Sequence, residues 1–254
     1  MSLNPEFAVI IPARLSSTRL PEKALADIGG KPMVVRTAEA ARRSGAMRVA
    51  VATDNERIMA ACATHGIEAV MTDVNHHSGT DRLAEAAVLL KLPENALVVN
   101  VQGDEPLIDP MLIDRLAAHL AAGSAPMATA AHPLTAHAEF LNPNVVKVVL
   151  DSRQHALYFS RAPIPYPRAN AAQGLPESMN ALRHIGIYAY RVPFLHTYHT
   201  LSPAPLEETE SLEQLRVLWH GYPISVLPCE HAPAAGVDTA EDLARVRAIF
   251  SGSL

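Results

Sequence analysis

A basic, hydroxyl-rich loop follows the first apolar segment of the chain, residues 7–11. It carries Arg14, Arg19 and Lys23, and residues 16–18 between the two arginines are Ser-Ser-Thr. A guanidinium offers a fork of donors, an ammonium offers a point charge and hydroxyls add further donors, so the loop has the chemistry to hold a polyphosphate. The alternative is a solvated surface loop whose arginines pair with nearby acids. Its position after a buried first strand favours the functional interpretation.

Asp104 follows a second apolar segment, residues 98–101, within the sequence Gln102-Gly103-Asp104-Glu105. Mg²⁺ is a hard cation that takes oxygen ligands, and a carboxylate at this place suits it. Gly103 would let the backbone approach a nucleotide closely. Gly-Asp is also ordinary turn chemistry, so the pattern alone leaves a metal site and a turn both open.

Two further segments combine a capping pattern with candidate ligands. Asp238 precedes a predicted helix, where its default role is to cap the N-terminus; a metal ligand is the alternative if it reaches Asp104. Ser78 opens another predicted helix with Asp81 three residues later, which is the spacing of a capping box. The backbone N–H groups at the start of that helix also suit an anion or the edge of a base. The capping role and the binding role are compatible at this position.

Short apolar segments alternate with helical patterns through the first half of the chain. The predicted strands are 7–11, 48–52, 68–71 and 97–101, and the predicted helices are 32–44, 55–64 and 79–90. Such alternation implies right-handed crossovers and predicts an α/β fold of three layers, a mostly parallel twisted sheet with helices on both faces. Ligands of such sheets bind beyond the carboxyl ends of the strands, which is where the polar segments above occur.

Capping residues mark several helix starts. Asp54 is predicted to cap the helix after the second strand, and Asp109 precedes Pro110, a residue that suits the first turn. Thr239 and Asp242 have the spacing of a capping box before the last helix.

The second half of the chain is less regular. Its predicted strands are 127–131, 145–150, 156–159 and 183–189; residues 207–219 are predicted to form one long amphipathic helix, and the proline-rich segment 163–176 a loop. We expect one domain over residues 1–254, with an irregular insertion around residues 140–220 that covers a site or makes a dimer contact.

Composition argues against several classes of protein. The net charge of −5 implies no general affinity for nucleic acid. No apolar stretch approaches the roughly 20 residues that span a bilayer, and we expect no signal peptide. Cys62 and Cys229 are predicted to be small core residues, not a disulfide or a metal pair. Together these features predict a cytoplasmic protein that binds neither nucleic acid nor membrane.

Ordered motifs from about residue 8 to residue 247 resemble the 3-deoxy-manno-octulosonate (Kdo) cytidylyltransferase family, the CMP-Kdo synthetases of Gram-negative bacteria. In the first half they are Val9-Ile10-Ile11-Pro12-Ala13-Arg14, Ser17-Thr18-Arg19-Leu20-Pro21, Gly30-Lys31-Pro32-Met33, Ser78-Gly79-Thr80-Asp81-Arg82-Leu83-Ala84-Glu85 and Val99-Asn100-Val101-Gln102-Gly103-Asp104-Glu105-Pro106. In the second half they are Asn142-Pro143-Asn144, Val146-Lys147-Val148-Val149, Tyr158-Phe159-Ser160-Arg161, Arg183-His184-Ile185-Gly186-Ile187-Tyr188, Leu212-Glu213-Gln214-Leu215-Arg216 and Gly236-Val237-Asp238-Thr239.

The resemblance implies a fold, a reaction and a cofactor. The fold would be that of the nucleotide-diphospho-sugar transferases, in a homodimer. The anomeric hydroxyl of Kdo would attack the α-phosphorus of CTP, giving pyrophosphate and the CMP-Kdo that feeds lipopolysaccharide biosynthesis. Mg²⁺ would be required, and no protein nucleophile would be needed.

The resemblance also implies roles for individual residues. Arg14 and Lys23 would neutralise the triphosphate and its transition state, and the catalytic Asp104 would hold Mg²⁺ together with Asp238. The residues implied to line the cytidine or sugar pocket are Ala13, Ser78 and Gln102, with Thr53 and Asp54 near the base and ribose. Those implied to contact Kdo are Arg161, His184, Tyr188, Glu213 and Gln214, with Glu213 and Gln214 expected in the middle of a helix.

One residue of the phosphate loop departs from the family pattern. The family often has Leu-Pro-Gly-Lys where this chain has Leu20-Pro21-Glu22-Lys23. Glu22 adds a negative charge beside a phosphate site, so we expect its side chain to point outward. We expect Lys23 to be an exposed loop residue, whose removal would cost turnover far more than stability.

Two alternatives to Kdo transfer stay open. One is the same chemistry on another ulosonic acid, such as a sialic acid or an 8-amino Kdo analogue, and the sugar pocket would decide this. The other is a non-catalytic protein that binds CTP without turnover, against which the presence of Lys23, Asp104 and Asp238 argues.

Overall fold

One large sheet forms the centre of the protein, whose computed structural model describes residues 5–16, 20–76, 78–168 and 180–252. In this part of the chain the strands are β1 (Phe7–Ala13), β2 (Asp27–Ile28), β3 (Lys31–Pro32), β4 (Arg48–Thr53), β5 (Glu68–Met71), β6 (Leu97–Asn100), β7 (Met127–Pro133), β8 (Lys147–Leu150), β9 (Ala156–Ser160), β10 (Leu182–Arg191) and β11 (Ile224–Pro228). The helices are α1 (Met33–Ala41), α2 (Glu56–Thr64), α3 (Gly79–Leu89), α4 (Pro110–Ala122), α5 (His137–Leu141), α6 (Val192–Thr200), α7 (Pro205–Glu210), α8 (Gln214–Trp219) and α9 (Ala240–Phe250), and Lys23–Leu25 forms a 3₁₀ turn.

The strand order of the large sheet is β11-β7-β10-β6-β1-β4-β5. Its parallel part is continuous from β6 through β1 and β4 to β5, and β7 is also parallel to β11. Strand β10 runs antiparallel between β6 and β7, and the antiparallel pair of β8 and β9 is attached to β10. The predicted α/β fold with a mostly parallel sheet is therefore confirmed, with β10 as its antiparallel component.

Helices cover both faces of this sheet. Along β1, Val9 and Ile11 belong to a core cluster with residues of α1, α2 and α4, whereas Ile10 belongs to a second cluster with residues of α3, α6 and α8. Successive side chains of a strand point to opposite faces, so a strand buried on both sides must be apolar throughout. This is why β1 appears in the sequence as an unbroken apolar run, and it confirms the three predicted layers.

The prediction that Asp54 caps the second helix is wrong. The side chain of Asn55 accepts the capping hydrogen bond from the Arg57 N–H at 3.0 Å. Asp54 Oδ2 instead accepts from Arg82 Nη2 at 2.6 Å. The side chain of Arg82 is fully buried, and a buried guanidinium requires a carboxylate partner, which takes precedence over a cap at the surface.

The predicted single helix over residues 207–219 is also wrong. The chain forms α7 and α8 instead, separated at Ser211, whose φ of 51° is left-handed. A buried ion pair explains the break, because Arg216 Nη2 lies 2.6 Å from Glu207 Oε1. In one straight helix these residues would be separated by about 13 Å along the axis, at 1.5 Å per residue. Only a folded-back chain brings the two side chains together.

The remaining helix starts agree with the predictions. The Asp109 side chain accepts from the Met111 N–H at 2.9 Å, and Thr239 and Asp242 form the reciprocal bonds of a capping box. Of the predicted loop 163–176, residues 163–168 contain no helix or strand, and residues 169–176 lie outside the described part. No helix in the described ranges is both long and apolar enough to cross a membrane.

Candidate active site

A cavity of about 660 Å³ opens beyond the carboxyl ends of β1 and β6, where an open α/β sheet usually places its ligand. Its opposite walls come from the start of α3, from β10 and α6, and from the segment that leads into α8. The predicted site residues on these walls are Ala13, Arg14, Lys23, Gln102, Asp104, Tyr188, Glu213 and Gln214. The fold therefore gathers candidate residues from both halves of the chain around one cavity.

Lys23 links the two carboxylates that were predicted to hold a metal. Its Nζ lies 2.5 Å from Asp104 Oδ2 and 3.1 Å from Asp238 Oδ1. Burial acts to lower the pKa of Lys23, but the two carboxylates outweigh burial and the net effect is a raised pKa. The ammonium group is therefore charged throughout the neutral range. The expectation that Lys23 is exposed is wrong, since only 18% of its side-chain surface is accessible.

The geometry of Asp104 and Asp238 fits a magnesium ion. Both carboxylates approach one nitrogen atom, so they face a common point at the edge of the cavity. In the described ranges, no group of three or more His, Cys, Asp or Glu side chains is placed to hold a metal ion. Mg²⁺ is typically bound through one or two carboxylates together with substrate phosphates and water, and two carboxylates beside a cavity match that donor set.

Two glycines allow the loops that carry these carboxylates to approach neighbouring backbone. The Val237 N–H donates to the Asp104 carbonyl oxygen at 2.9 Å. A Cβ atom on Gly236 would lie 3.2 Å from that same oxygen. A Cβ atom on Gly103 would lie 3.0 Å from the carbonyl oxygen of Pro12, at the end of β1. The position of Asp104 relative to the first strand thus depends on the absence of a side chain at residue 103.

Gly103→Ala is therefore expected to lower stability and activity together. A Cβ at 3.0 Å from the Pro12 carbonyl oxygen forces β1 and the Asp104 loop apart, because the contact is with backbone and no flexible side chain can move away. We expect a loss of about 1–3 kcal/mol in the free energy of unfolding, measured by urea denaturation, and a lower kcat. Gly123→Ala is the matched control, since its added Cβ would meet its nearest atom at an ordinary 3.8 Å. Equal stability of both variants would contradict this account.

Glu105, directly after Asp104, is a buried carboxyl group that the sequence analysis did not assign. Burial, with a further contribution from the Asp104 charge, raises the pKa of Glu105 to about 8. The group is therefore mostly neutral at pH 7. It adds little negative charge beside Lys23, and the carboxylate charge at this edge of the cavity comes from Asp104 and Asp238.

The described part of the basic loop places Arg14 at the mouth of the cavity. The exposed Arg14 side chain donates from Nη2 to the His76 carbonyl oxygen at 3.0 Å, which leaves further guanidinium N–H groups for an anion. Ser16 also lies on the cavity wall. Residues 17–19, including the predicted phosphate-loop residue Arg19, lie outside the described part of the chain.

The side chain of Glu22 points away from the cavity, as expected. Its two carboxylate oxygens accept from the guanidinium of Arg57 on α2, with the Oε2 bond at 2.9 Å. The hydrogen bond to Arg57 holds the pKa of Glu22 below its usual value. The backbone of Glu22 has a φ of 54°, in the left-handed region that favours glycine, which explains why a glycine suits this position in the family pattern.

Arg57→Ala is expected to weaken binding of the CTP that the family resemblance implies, although Arg57 is not on the cavity wall. The change leaves the Glu22 carboxylate unpaired one residue from Lys23, so the loop becomes more negative. We expect a KM for CTP about threefold higher at low salt, with the difference shrinking as ionic strength rises, because exposed charges are screened. Adding Glu22→Gln to Arg57→Ala should restore the wild-type KM. A raised KM that is insensitive to salt would point to a different cause.

Opposite the charged edge, the cavity wall is formed by tyrosines around Glu213. The Gly79 N–H at the start of α3 donates to the Glu213 carboxylate. Burial raises the pKa of Glu213 above its usual value, while this bond opposes the effect. Glu213 lies just before α8 and Gln214 begins it, so the expectation that both lie in the middle of a helix is wrong. The helix break described above brings both to the cavity wall.

His184 lies behind this wall rather than on it. Its Nε2 is 2.9 Å from Thr129 Oγ1, and its ring centroid is 5.4 Å from that of Tyr188. Burial lowers the pKa of His184 to about 3, so the imidazole is neutral at physiological pH. In this arrangement His184 supports the Tyr188 ring and supplies no positive charge.

Besides Asp238, which lies next to the wall residue Lys23, four other predicted residues also lie off the cavity wall. Thr53 is fully buried, and Asp54 is engaged by Arg82. Ser78 caps α3, accepting from the Asp81 N–H at 3.0 Å.

Arg161 donates from Nε to the Glu210 carbonyl oxygen at 2.7 Å and from Nη1 to that of Pro143 at 3.0 Å. The structure thus gives these four side chains structural partners, and their predicted ligand contacts stay predictions.

The sequence analysis gave no site role to five polar residues on the cavity wall, namely Thr80, Asn100, Tyr190, Tyr198 and Ser211. Asn100 is part of a motif, but it ends a strand that is otherwise apolar. Tyr190 and Tyr198 sit in apolar patterns typical of core positions. The signal that could have identified these residues is a side chain with a polar end in a segment that is otherwise apolar.

Comparison with known proteins agrees with the motifs. A family model described as cytidylyltransferase matches residues 8–226. The 3-deoxy-manno-octulosonate cytidylyltransferase of Neisseria meningitidis serogroup B is 64% identical over 248 residues, which cover 96% of this chain and 98% of that protein. The protein of the same name from Herminiimonas arsenicoxydans is 60% identical over 248 residues, covering 96% and 99% of the two chains.

Solved structures give the same relationship at the level of the fold. The structure of CMP:2-keto-3-deoxy-manno-octonic acid synthetase complexed with CTP matches with a TM-score of 0.87 and 43% identity, covering 98% of this chain and 100% of that one. A cytidylyltransferase from Leptospira borgpetersenii matches with a TM-score of 0.64 at 17% identity, over 98% and 88% of the chains. The second match shows the shared fold alone.

Proposed function

The chain belongs to the cytidylyltransferase family, and from this premise we propose that it transfers CMP from CTP to the anomeric hydroxyl of Kdo, giving CMP-Kdo and pyrophosphate. The observation that carries the proposal is one cavity that has a charged edge, with the cations of Arg14 and Lys23 beside Asp104, and a polar wall opposite. The charged edge suits a triphosphate, and the polar wall suits a polyhydroxylated sugar acid. The named relatives and the CTP complex add support.

The chain's own residues would act by positioning and by charge. Lys23 and Arg14 would face the triphosphate oxygens, where negative charge shifts as the sugar hydroxyl attacks the α-phosphorus and the bond to pyrophosphate breaks. Charged groups held in place before the reaction stabilise the transition state without further reorganisation. Holding both substrates in one cavity supplies the rest of the rate enhancement, because binding has already removed the entropic cost of bringing them together. No side chain needs to form a covalent bond.

We propose Mg²⁺ as the cofactor, held by Asp104 and Asp238. When bound, it would neutralise and orient the phosphate oxygens of CTP. The two carboxylates already converge on Lys23 Nζ, so the cation and the ammonium would share one acidic pair. Lys23 thereby keeps the two carboxylates together before the nucleotide arrives.

Pyrophosphate release tests the reaction and its alternatives directly. The protein is incubated with CTP and Mg²⁺ and with Kdo, an 8-amino Kdo analogue or a sialic acid in turn. We expect the highest kcat/KM with Kdo. Absence of release with millimolar Kdo would overturn the proposal, and preference for another sugar acid would reassign the substrate. Tight CTP binding without turnover on any of them would identify a non-catalytic CTP-binding protein.

We also propose that the protein is a single-domain, cytoplasmic homodimer serving lipopolysaccharide biosynthesis, with no nucleic-acid or membrane partner. Free buried thiols at Cys62 and Cys229 suit a reducing compartment. Exposed large apolar side chains within residues 140–220 suit a subunit contact, and these are Leu141, Leu157, Tyr166, Leu206 and Trp219. Light scattering at micromolar concentration tests the dimer, and a monomer mass would reject it.

A further inference from the structure

We propose that Tyr198 and Asn100 recognise hydroxyl groups of the sugar and so set the enzyme's specificity for a polyhydroxylated acid. This inference rests on the proposed function and deepens it, by adding to the predicted sugar contacts two side chains from α6 and β6. It is carried by buried polar atoms that lack a protein partner and line the same cavity.

Within the described part of the chain, the cavity wall carries three buried side-chain atoms without a hydrogen-bond partner: Asn100 Oδ1, Tyr198 Oη and Gln214 Nε2. The residues are only 3%, 1% and 4% exposed, respectively. A buried polar atom without a hydrogen-bond partner destabilises the free protein, and a ligand that forms the missing bonds would remove this penalty. Their presence around one cavity points to a ligand that completes these bonds.

Asn100 is fixed so that one end of its amide is available. Its side chain forms a hydrogen bond with Tyr190, whose hydroxyl also lies 3.4 Å from Thr80 Oγ1. Because the tyrosine side of the amide is engaged, Oδ1 is the atom left without a partner. This oxygen is an acceptor only, and it requires a donor from the ligand.

The Tyr198 ring is held rigidly while its hydroxyl remains without a partner. The Arg216 guanidinium lies over the ring, 5.0 Å from its centroid, and is itself locked by the buried pair with Glu207. Burial, with the nearby Glu213 carboxylate, raises the pKa of Tyr198, so the hydroxyl keeps its proton and can both donate and accept. Holding the ring in place reduces the entropy that binding would otherwise cost.

A set of sugar hydroxyls matches all three atoms. Asn100 Oδ1 needs a donor, Gln214 Nε2 needs an acceptor and Tyr198 Oη takes either, and a hydroxyl group can supply each role. A site built to bind hydroxyls discriminates strongly against analogues that lack them, because its own polar groups are then left unpaired. We therefore infer that the ligand has several neighbouring hydroxyl groups and that Tyr198 and Asn100 form hydrogen bonds with different ones.

Tyr198→Phe tests the inference because it removes one oxygen atom and leaves the ring. We expect the KM for Kdo to rise about tenfold, with the KM for CTP unchanged. We also expect the free protein to unfold at the same or a higher temperature, since a buried hydroxyl without a partner has been removed. A purely structural role for the hydroxyl would instead lower the thermal midpoint and leave the KM for Kdo unchanged.

Kdo analogues that each lack one hydroxyl give a second measurement. If Tyr198 binds a sugar hydroxyl, wild type and Tyr198→Phe should have equal KM values for one of these analogues. Tyr222→Phe is the matched control, because Tyr222 packs on the Phe194 ring away from the cavity wall, and it should behave as wild type.

The outcomes separate the two proposals. An unchanged KM for Kdo in an active Tyr198→Phe variant would overturn this inference alone, as would equal losses for CTP and Kdo. Absence of turnover by the wild-type protein with Kdo would overturn the proposed function and the inference with it.

Discussion

Lys23→Ala is expected to lower kcat by about 10²- to 10³-fold, the usual effect of removing one preorganised charge from a transition state. In the structure the Lys23 Nζ contacts both Asp104 and Asp238, and Lys23 lies on the cavity wall. Its loss removes the charge that would face the phosphates. Steady-state pyrophosphate release with saturating CTP, Kdo and Mg²⁺ measures the effect.

The stability of this variant should depend on magnesium. Without the ammonium, Asp104 and Asp238 lose the cation that both contact, so we expect a lower thermal midpoint in EDTA than for wild type. Mg²⁺ should restore the midpoint without restoring kcat, because it can neutralise the carboxylates but cannot occupy the lysine's place at the phosphates. Lys31→Ala is the control, since Lys31 also pairs with a carboxylate, that of Glu39, outside the cavity. A Lys23→Ala variant with wild-type kcat would remove Lys23 from the mechanism.

Asp104→Asn is the second large change, and it should weaken Mg²⁺ binding and activity together. Asparagine keeps the shape of the side chain and one oxygen, but the negative charge is lost. We expect at least about tenfold weaker Mg²⁺ affinity by titration calorimetry and a fall in kcat/KM of roughly 10²-fold. The activity should recover partly at high Mg²⁺ concentration, because weaker binding is compensated by mass action.

Asp109→Asn provides the comparison for the loss of one carboxylate near this loop. Asp109 caps α4, and asparagine caps helices equally well, so both stability and Mg²⁺ dependence should match wild type. If Asp104→Asn has wild-type activity at limiting Mg²⁺, Asp104 is not a ligand. If its activity is lost while its Mg²⁺ affinity is unchanged, Asp104 acts through Lys23 alone.

The parallel part of the sheet could be predicted from the sequence because its signals are local. Strand β1 is buried on both faces and is therefore apolar along its whole length, and β6 has one polar residue, Asn100, at its end. The break at Ser211 could not be predicted in this way. It depends on the buried pair of Glu207 and Arg216, a contact between two elements, while the sequence of the segment has an uninterrupted helical pattern.

The charged edge of the cavity was more predictable than its opposite wall. Lys23 and Asp104 follow strands, and the rule that ligands bind beyond strand ends applies to them. Tyr198 sits on a helix within an apolar pattern, and only its missing hydrogen-bond partner distinguishes it from a core residue. Asp54 shows the opposite error, because a charged residue after a strand was taken for a helix cap, whereas its carboxylate is bound by the buried Arg82.

The pairing of Glu22 with Arg57 has a consequence for how sequences of this family can diverge. A glutamate at position 22 adopts a left-handed backbone and brings a carboxylate next to Lys23, and the arginine on α2 turns that carboxylate outward. Replacement of glycine by glutamate is therefore tolerated best in a background that already has a basic residue at position 57. We therefore expect the two positions to be epistatic, with the arginine appearing before the glutamate.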